Sequence, residues 1–360
     1  MRTPHLLSLA LSAVLLCTCG RTGSLVVKHA RFLSEPNGYV CSFAELPPVI
    51  DGKLDDAVWQ KAEADFRFTD ISGEGFPEPR FKTSVKLLWD STFLYVGAEM
   101  EEPHVSSCVS ARDDIVYHDN DFEVFLDPDG DARNYFELEV NALGNLFDLF
   151  LAGSYRDPDR PFISFGWDCP GLQLATCVDG TLNNPSDTDR GWSAEFAIPA
   201  RAVLTEWDSS FTEGMLMRVG FSRVEWQWDI RDGVYTRKER EDGTLLPEDN
   251  WTWGPTGMVA MHMPERWGRV YLAREGYEGG VPAAYPTDRL LWAMFYEQEA
   301  AFAKTGRYLK AIPLGPEDRA LLPAGKGPEI ETASDRYRIG IPMGDGRMRC
   351  IDSSGKIFTK

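Results

Sequence analysis

The sequence predicts an all-β protein, an antiparallel β-sandwich followed by a small α+β unit. Three observations carry that expectation. Between Tyr39 and about Leu272 the chain reads as short apolar segments, several alternating apolar and polar residues with period two, as strands buried on one face do. Turn chemistry separates them, in a chain with 32 Gly and 23 Pro and with stretches such as DPDGD and NALGN. Helical periodicity becomes continuous only beyond residue 285.

The strand-like segments are residues 84–90, 93–100, 122–127, 135–140, 146–151, 172–178, 192–199, 216–226 and 268–273. So many strands of this length within one unit argue for a sandwich. LDDAVWQKA (54–62) has room for two helical turns. The segment 287–309 carries apolar residues at helical spacing, with Thr287 as a candidate N-cap and Gly306 as a stop. Strands DRYRIGIP, RMRCID and KIFTK follow it. The expected organisation is a signal peptide at 1–18, a lipid-anchored tether at 19–38, the sandwich at 39–278 and a helix-plus-strands unit at 285–360.

The leader is read from Arg2 and the apolar run Leu6 to Leu16, which is too short to span a bilayer and suits a secretory signal. It ends in LCTC, which resembles a bacterial lipobox with Cys19 as the lipidated first residue of the mature chain. The expected location is therefore the cell envelope, with the membrane reached through that lipid. Plain signal cleavage is the alternative. Five further cysteines match no zinc spacing; Cys169 and Cys177 could staple a loop, or all could be free thiols.

The chain has 37 Lys and Arg against 56 Asp and Glu, a net charge of −19. Such a chain repels phosphate backbones, which excludes general nucleic-acid binding. Residues 285–360 carry +2, so the excess negative charge, −22, lies in residues 19–284. The 43 aromatic residues include 11 Trp, and rings beside polar side chains are what a sugar surface requires.

The densest stretch of acids is YHDNDFEVFLDPDGD, 117–131. On a strand, Asp119, Asp121 and Glu123 would share a face, where like charges repel without a cation or donor. Asp127, Asp129 and Asp131 alternate through a turn with Gly130, like part of a calcium loop, although the twelve-residue loop with its closing Glu is absent. A solvated acidic turn is the alternative. In NWTWGP, 250–255, Trp251 and Trp253 would project to one side, either to stack on a sugar or to close the core. His262 reads as a structural hydrogen-bonding residue, and Glu265 with Arg266 as a surface pair. No nucleophile elbow, phosphate loop or dinucleotide fingerprint is found, and no two carboxylates are singled out as a glycosidase pair.

Taken in order, PPVIDGKLDDAVWQKA (47–62), VKLLWDSTFLYVGAEMEEP (85–103), DNDFEVFLDPDGD (119–131), YFELEVNALGNLFD (135–148), RGWSAEFAIPARAVL (190–204), MRVGFSRVEW (217–226) and NWTWGPTGMVAMHMPERWGRVYL (250–272) resemble the family 9 carbohydrate-binding modules and their DOMON-like relatives. The resemblance implies a β-sandwich that clamps a sugar between two aromatic rings. It places these rings at Tyr117, six residues before Glu123, and at Trp253, which closes an Asn-x-x-Trp motif begun by Asn250. Glu123, Asn141 and Asn250 would be polar ligands. The pattern has an Arg two residues before Asn141, and here that residue is Glu139, which removes a donor to the sugar. Structural Ca²⁺ is also implied, with Asp127, Asp129 and Asp131 as its expected ligands.

The expected function is therefore non-catalytic binding of an oligo- or polysaccharide by an envelope lipoprotein, in support of neighbouring glycoside hydrolases. Two alternatives stand beside it. One is a glycoside hydrolase, or hydrolase-associated subunit, using the acids around Asp121 and Glu123. The other is a structural or interaction sandwich whose sugar site has decayed; a haem role would have to rest on His262 with Met261 or Met263.

Overall fold

The computed structural model describes residues 23–157, 161–204 and 209–360. Cys19 and the leader before it lie outside the described residues. The sandwich strands are β1 (Gly38–Phe43), β2 (Phe68–Asp70), β3 (Thr83–Trp89), β4 (Phe93–Glu101), β5 (Asp121–Asp127), β6 (Tyr135–Asn141) and β7 (Leu146–Leu151). They continue with β8 (Ile163–Ser164), β9 (Gln173–Asp179), β10 (Gly191–Pro199) and β11 (Leu216–Glu225). A separate hairpin, β12 (Trp228–Arg231) and β13 (Val234–Arg237), precedes β14 (Asp249–Trp253) and β15 (Gly268–Ala273).

Apart from that hairpin, these strands make one sheet in the order β8-β7-β6-β5-β11-β15-β1-β3-β4-β10-β9, with β14 and then β2 branching from β11. The sheet curls so that its two halves face each other. Phe122, Val124 and Leu126 of β5 and Val219 and Phe221 of β11 share one core with Leu87, Val96, Ala194 and Phe196 of β3, β4 and β10. The Phe122 and Phe196 rings meet across it at 6.3 Å between centroids. Burying each such side chain contributes about 1.5–3 kcal/mol. The pairing is antiparallel except at β1, which runs parallel to both β15 and β3 and so corrects a wholly antiparallel reading.

The opening PPVIDG…W segment packs on the outer side of β3, β4 and β10. Trp59 lies in a short 3-10 turn, Ala57–Lys61, rather than two α-helical turns. Its indole Nε1 donates to one oxygen of Glu195 at 2.8 Å, and the amides of Asp51 and Gly52 donate to the other. Gly52 has φ of +88°, and a Cβ there would meet the Thr176 backbone at 2.5 Å. All five described cysteines are free thiols, so Cys169 and Cys177 do not staple a loop.

The C-terminal unit is a helix, Pro286–Thr305, set against a meander of β16 (Glu329–Thr332), β17 (Tyr337–Pro342), β18 (Met348–Asp352) and β19 (Ile357–Thr359). The helix stops at Gly306 in the left-handed region, as its sequence predicts. It starts at Pro286 with Tyr285 as the capping residue, so Thr287 lies inside it. Leu290, Leu291 and Met294 form a second core with Ile339, Ile341 and Ile351. Leu25, Val26 and Leu33 join this core, and the Asp318 carboxylate accepts the amides of Leu25 and Val26. Within the expected tether, residues 24–33 are therefore packed, because Leu25, Val26 and Leu33 are buried and Asp318 caps the helix start.

Trp251 and Trp253 share a side of β14, and that side faces inward. Trp253 is 1% exposed, packs on Phe221 at 5.4 Å and lies over Gly268, where a Cβ would come within 2.1 Å of the indole. It is a core residue, so it cannot clamp a sugar opposite Tyr117. Trp253→Ala is expected to destabilise the fold by about 3–5 kcal/mol in urea denaturation, the range for large-to-small core truncations, rather than to weaken ligand binding selectively.

Candidate functional site

Residues directly opposite each other in a ladder present their side chains to the same face, and the register of four strands assembles one polar surface. Asp121 pairs with Asn141 and Glu123 with Glu139 between β5 and β6. Ser222 of β11 lies opposite Glu123, Thr252 of β14 opposite Ser222, and Asn250 opposite Val224. Phe147 of β7 lies opposite Glu139, and Leu149 opposite Glu137. Phe122 and Val124 point the other way into the sandwich core, so this acidic surface is the outer face of the β5-β6-β11 half.

The acids on this face are deeply set. Asp121 is 0%, Glu139 4% and Glu123 5% exposed. Burial raises the carboxyls of Asp121 and Glu139 well above their ordinary range, and neighbouring carboxylates add to the shift. Burial also brings Glu123 up to about 7 and Glu137, next to Glu123, up to about 8. Asp121 Oδ2, Glu123 Oε2 and Glu139 Oε2 have no hydrogen-bond partner. Such orphaned acceptors are costly unless a proton, a cation or a donor reaches them.

Aromatic side chains flank the acids. Tyr117 stands in the turn Val116–His118 just before β5 with 41% of its surface exposed. Its carbonyl accepts the Trp226 indole at 2.9 Å, which fixes the backbone while the ring stays out. The Arg237 guanidinium covers the Trp226 ring at 3.7 Å. At the other end Phe147 is half-buried beside Glu139, and the exposed ring of Tyr155 meets His262 edge-on at 4.5 Å. His262 receives or donates a hydrogen bond with Tyr135 at 3.0 Å, and burial lowers its imidazole to about 3.

The expected site residues separate on this geometry. Glu123 and Asn250 belong to the outer face, and Tyr117 is exposed in the turn that leads into β5. Trp253 belongs to the core. Asn141 lies on the face, but its amide nitrogen donates to Val109 and Asp119 and its oxygen accepts the Leu143 and Asn145 amides. It holds a turn together and has no capacity left for a ligand. Glu265 and Arg266 are both buried rather than a surface pair: Glu265 accepts the Tyr296 hydroxyl, and Arg266 holds Ser34. Phe147, Tyr155 and Glu137 were not anticipated as site residues, although period-two alternation from Glu139 and Glu123 would have placed Glu137 and Phe147 beside them.

The turn acids are arranged differently. Oxygens of Asp127, Asp129 and Asp131 lie within 4.8 Å of one another. However, Asp127 accepts the Gly130 and Ala132 amides with its two oxygens, and Asp131 accepts the Arg133 amide and pairs with Lys356 at 2.7 Å. With the Asp131 amide on Asp129, an ammonium and four amides already answer this charge, so the donor set fits a Ca²⁺ cage poorly.

Residues 50–148 match the family model described as "Carbohydrate family 9 binding domain-like". Exoglucanase XynX of Acetivibrio thermocellus is 33% identical over 157 residues, 43% of this chain and 12% of that protein. Endo-1,4-beta-xylanase A of Thermoanaerobacterium saccharolyticum is 32% identical over 157 residues, 43% of this chain and 11% of that protein. The chain thus spans about a tenth of the length of these curated relatives. A family 9 carbohydrate-binding module from Caldicellulosiruptor kristjanssonii, solved with cellotriose, is 18% identical with a TM-score of 0.41, over 68% of this chain and 98% of that one. The same organism's module solved with glucose gives 17% and 0.41, over 66% and 98%.

The buried acids set a pH dependence. A carboxyl raised in the folded chain keeps a proton that the unfolded chain has released; its contribution is complete below the unfolded value and is lost as pH rises through the folded one. His262 has the opposite sign, but above about 6.5 it is neutral in both states. Between pH 6.5 and 8, with a chelator present, the thermal midpoint is therefore expected to fall with rising pH, as Glu123 and Glu137 pass through about 7 and 8. Differential scanning calorimetry of Glu139→Gln, which has one repulsive carboxyl fewer, is expected to show a shallower fall.

Proposed function

From a chain whose residues 50–148 carry a carbohydrate family 9 binding domain-like unit, we propose that the protein binds an oligo- or polysaccharide, without cleaving it, on the outer face of β5, β6 and β11. The observation that carries this reading is the juxtaposition of unpartnered Glu123 and Glu139 oxygens with Phe147 beside them, next to which the exposed Tyr117 stands in the turn that leads into β5. Sugar hydroxyls are donors that such oxygens accept, and the C–H face of a pyranose packs on a flat ring. The Asn250 side chain, opposite Val224, extends the polar surface. The exoglucanase and xylanase names of the relatives favour chains of β-1,4-linked glucose or xylose as ligands. Export and a lipid at Cys19 would hold the module at the cell envelope, where glycoside hydrolases would act on the captured chain.

Calorimetric titration with glucose, cellotriose and a xylo-oligosaccharide tests the reading. Stacking contributes on the order of 1 kcal/mol per ring, so Tyr117→Ala and Phe147→Ala are each expected to weaken binding about five- to tenfold with far-UV circular dichroism unchanged. Folded wild-type protein that binds none of these sugars, or two variants that bind as well as wild type, would overturn it.

A further inference from the structure

We propose that Asp121, Glu123 and Glu139 form a divalent-cation site of the calcium class on the outer face of the sandwich, distinct from the Asp127–Asp131 turn. One oxygen from each lies within 4.8 Å of the others. Ca²⁺ takes oxygen ligands at about 2.3–2.6 Å, so ligands on opposite sides of one ion stand up to about 5 Å apart, and the three carboxylates can share an ion without moving their strands. All three come from paired positions of β5 and β6, which fixes their backbone spacing.

Two further observations point to something missing at this place. The Ser222 hydroxyl, on a fully buried side chain directly opposite Glu123, makes no well-formed hydrogen bond and lies close enough to Glu123 to favour its charged form. It adds a neutral oxygen donor from a third strand. Several other buried acids of the sandwich, by contrast, are answered. Glu195 accepts an indole and two amides, Glu225 pairs with Arg223 at 2.8 Å, and Asp148 accepts the Cys169 amide and pairs with Arg112. Among the described residues, no Lys or Arg forms an ion pair with Asp121, Glu123 or Glu139, and the one backbone hydrogen bond to them is the Val224 amide on Asp121 Oδ1.

Three carboxylates and a hydroxyl, with no thiol or imidazole in the set, are hard donors, which selects Ca²⁺, Mg²⁺ or Mn²⁺ over zinc or copper. An ion held by these four side chains retains open coordination positions. If the sugar reading holds, those positions face its hydroxyls; cation binding itself does not depend on that reading.

Calcium titration of the full mature chain, stripped with chelator, tests the site by calorimetry and by the shift in thermal midpoint. Wild type is expected to bind Ca²⁺ and to gain several degrees. Glu139→Gln and Ser222→Ala are expected to weaken binding at least tenfold and about threefold respectively, whereas Asp129→Asn binds as wild type. The midpoints in chelator show whether each variant folds, and Glu139→Gln is expected to be at least as stable there as wild type. Wild type without Ca²⁺, Mg²⁺ or Mn²⁺ binding would overturn the proposal, showing that protons alone neutralise the face. Binding lost in Asp129→Asn but kept in Glu139→Gln would also overturn it, by placing the ion in the turn. Sugar titrations with and without Ca²⁺ separate the two claims: cation binding without sugar binding overturns only the sugar reading.

Discussion

Side-chain alternation along a strand is the constraint on which the rest of this structure depends. In β5, Phe122, Val124 and Leu126 enter the core, and Asp121 and Glu123 must therefore point out. Pairing with β6 and β11 carries the same division across three strands, so an apolar interior and an acidic exterior are made by one register. A slip of a single residue would drive carboxylates into the sandwich and phenylalanines onto its surface, which makes this register strongly specified.

The same constraint decides what a tryptophan can do. Asn250 and Trp253 are three residues apart on β14, an odd separation, so they cannot share a face. With Asn250 outward, Trp253 is inward against Phe221 and Gly268. The sugar site implied by resemblance required Asn250 and Trp253 on one side. The aromatic contribution to the outer face falls instead to Tyr117, which sits in a turn outside the ladder, and to Phe147, which is in register with Glu139.

Much of the fold was legible in the sequence because period-two patterns and turn residues are local. The segments read at 84–90, 93–100, 122–127 and 192–199 correspond to β3, β4, β5 and β10 within a residue or two. The helix stop at Gly306 was equally local. What escaped was set by distant contacts: the parallel placement of β1, the packing of residues 24–33 on the C-terminal helix, and the capture of Asp131 by Lys356. The candidate site was half legible. Period-two alternation puts Asp121 and Glu123 on one face, as the ladder has them, while the use of Asn141 on four neighbouring groups depends on a turn and a loop that no spacing reveals.

The excess acidity of the sandwich is not one phenomenon. Acids such as Glu195 and Asp127 are structural acceptors that fasten loops to strands. Those of the outer face leave oxygens of Asp121, Glu123 and Glu139 without a hydrogen-bond partner, and this is the reason to assign that face to a ligand. Hydrogen–deuterium exchange with and without cellotriose is the most direct measurement of that assignment. The account predicts slowed exchange confined to the segments around Tyr117–Phe125, Tyr135–Phe147 and Ser222–Trp226. Protection centred instead on the opposite groove, lined by Lys53, Glu99, Arg190 and Trp192, would contradict it.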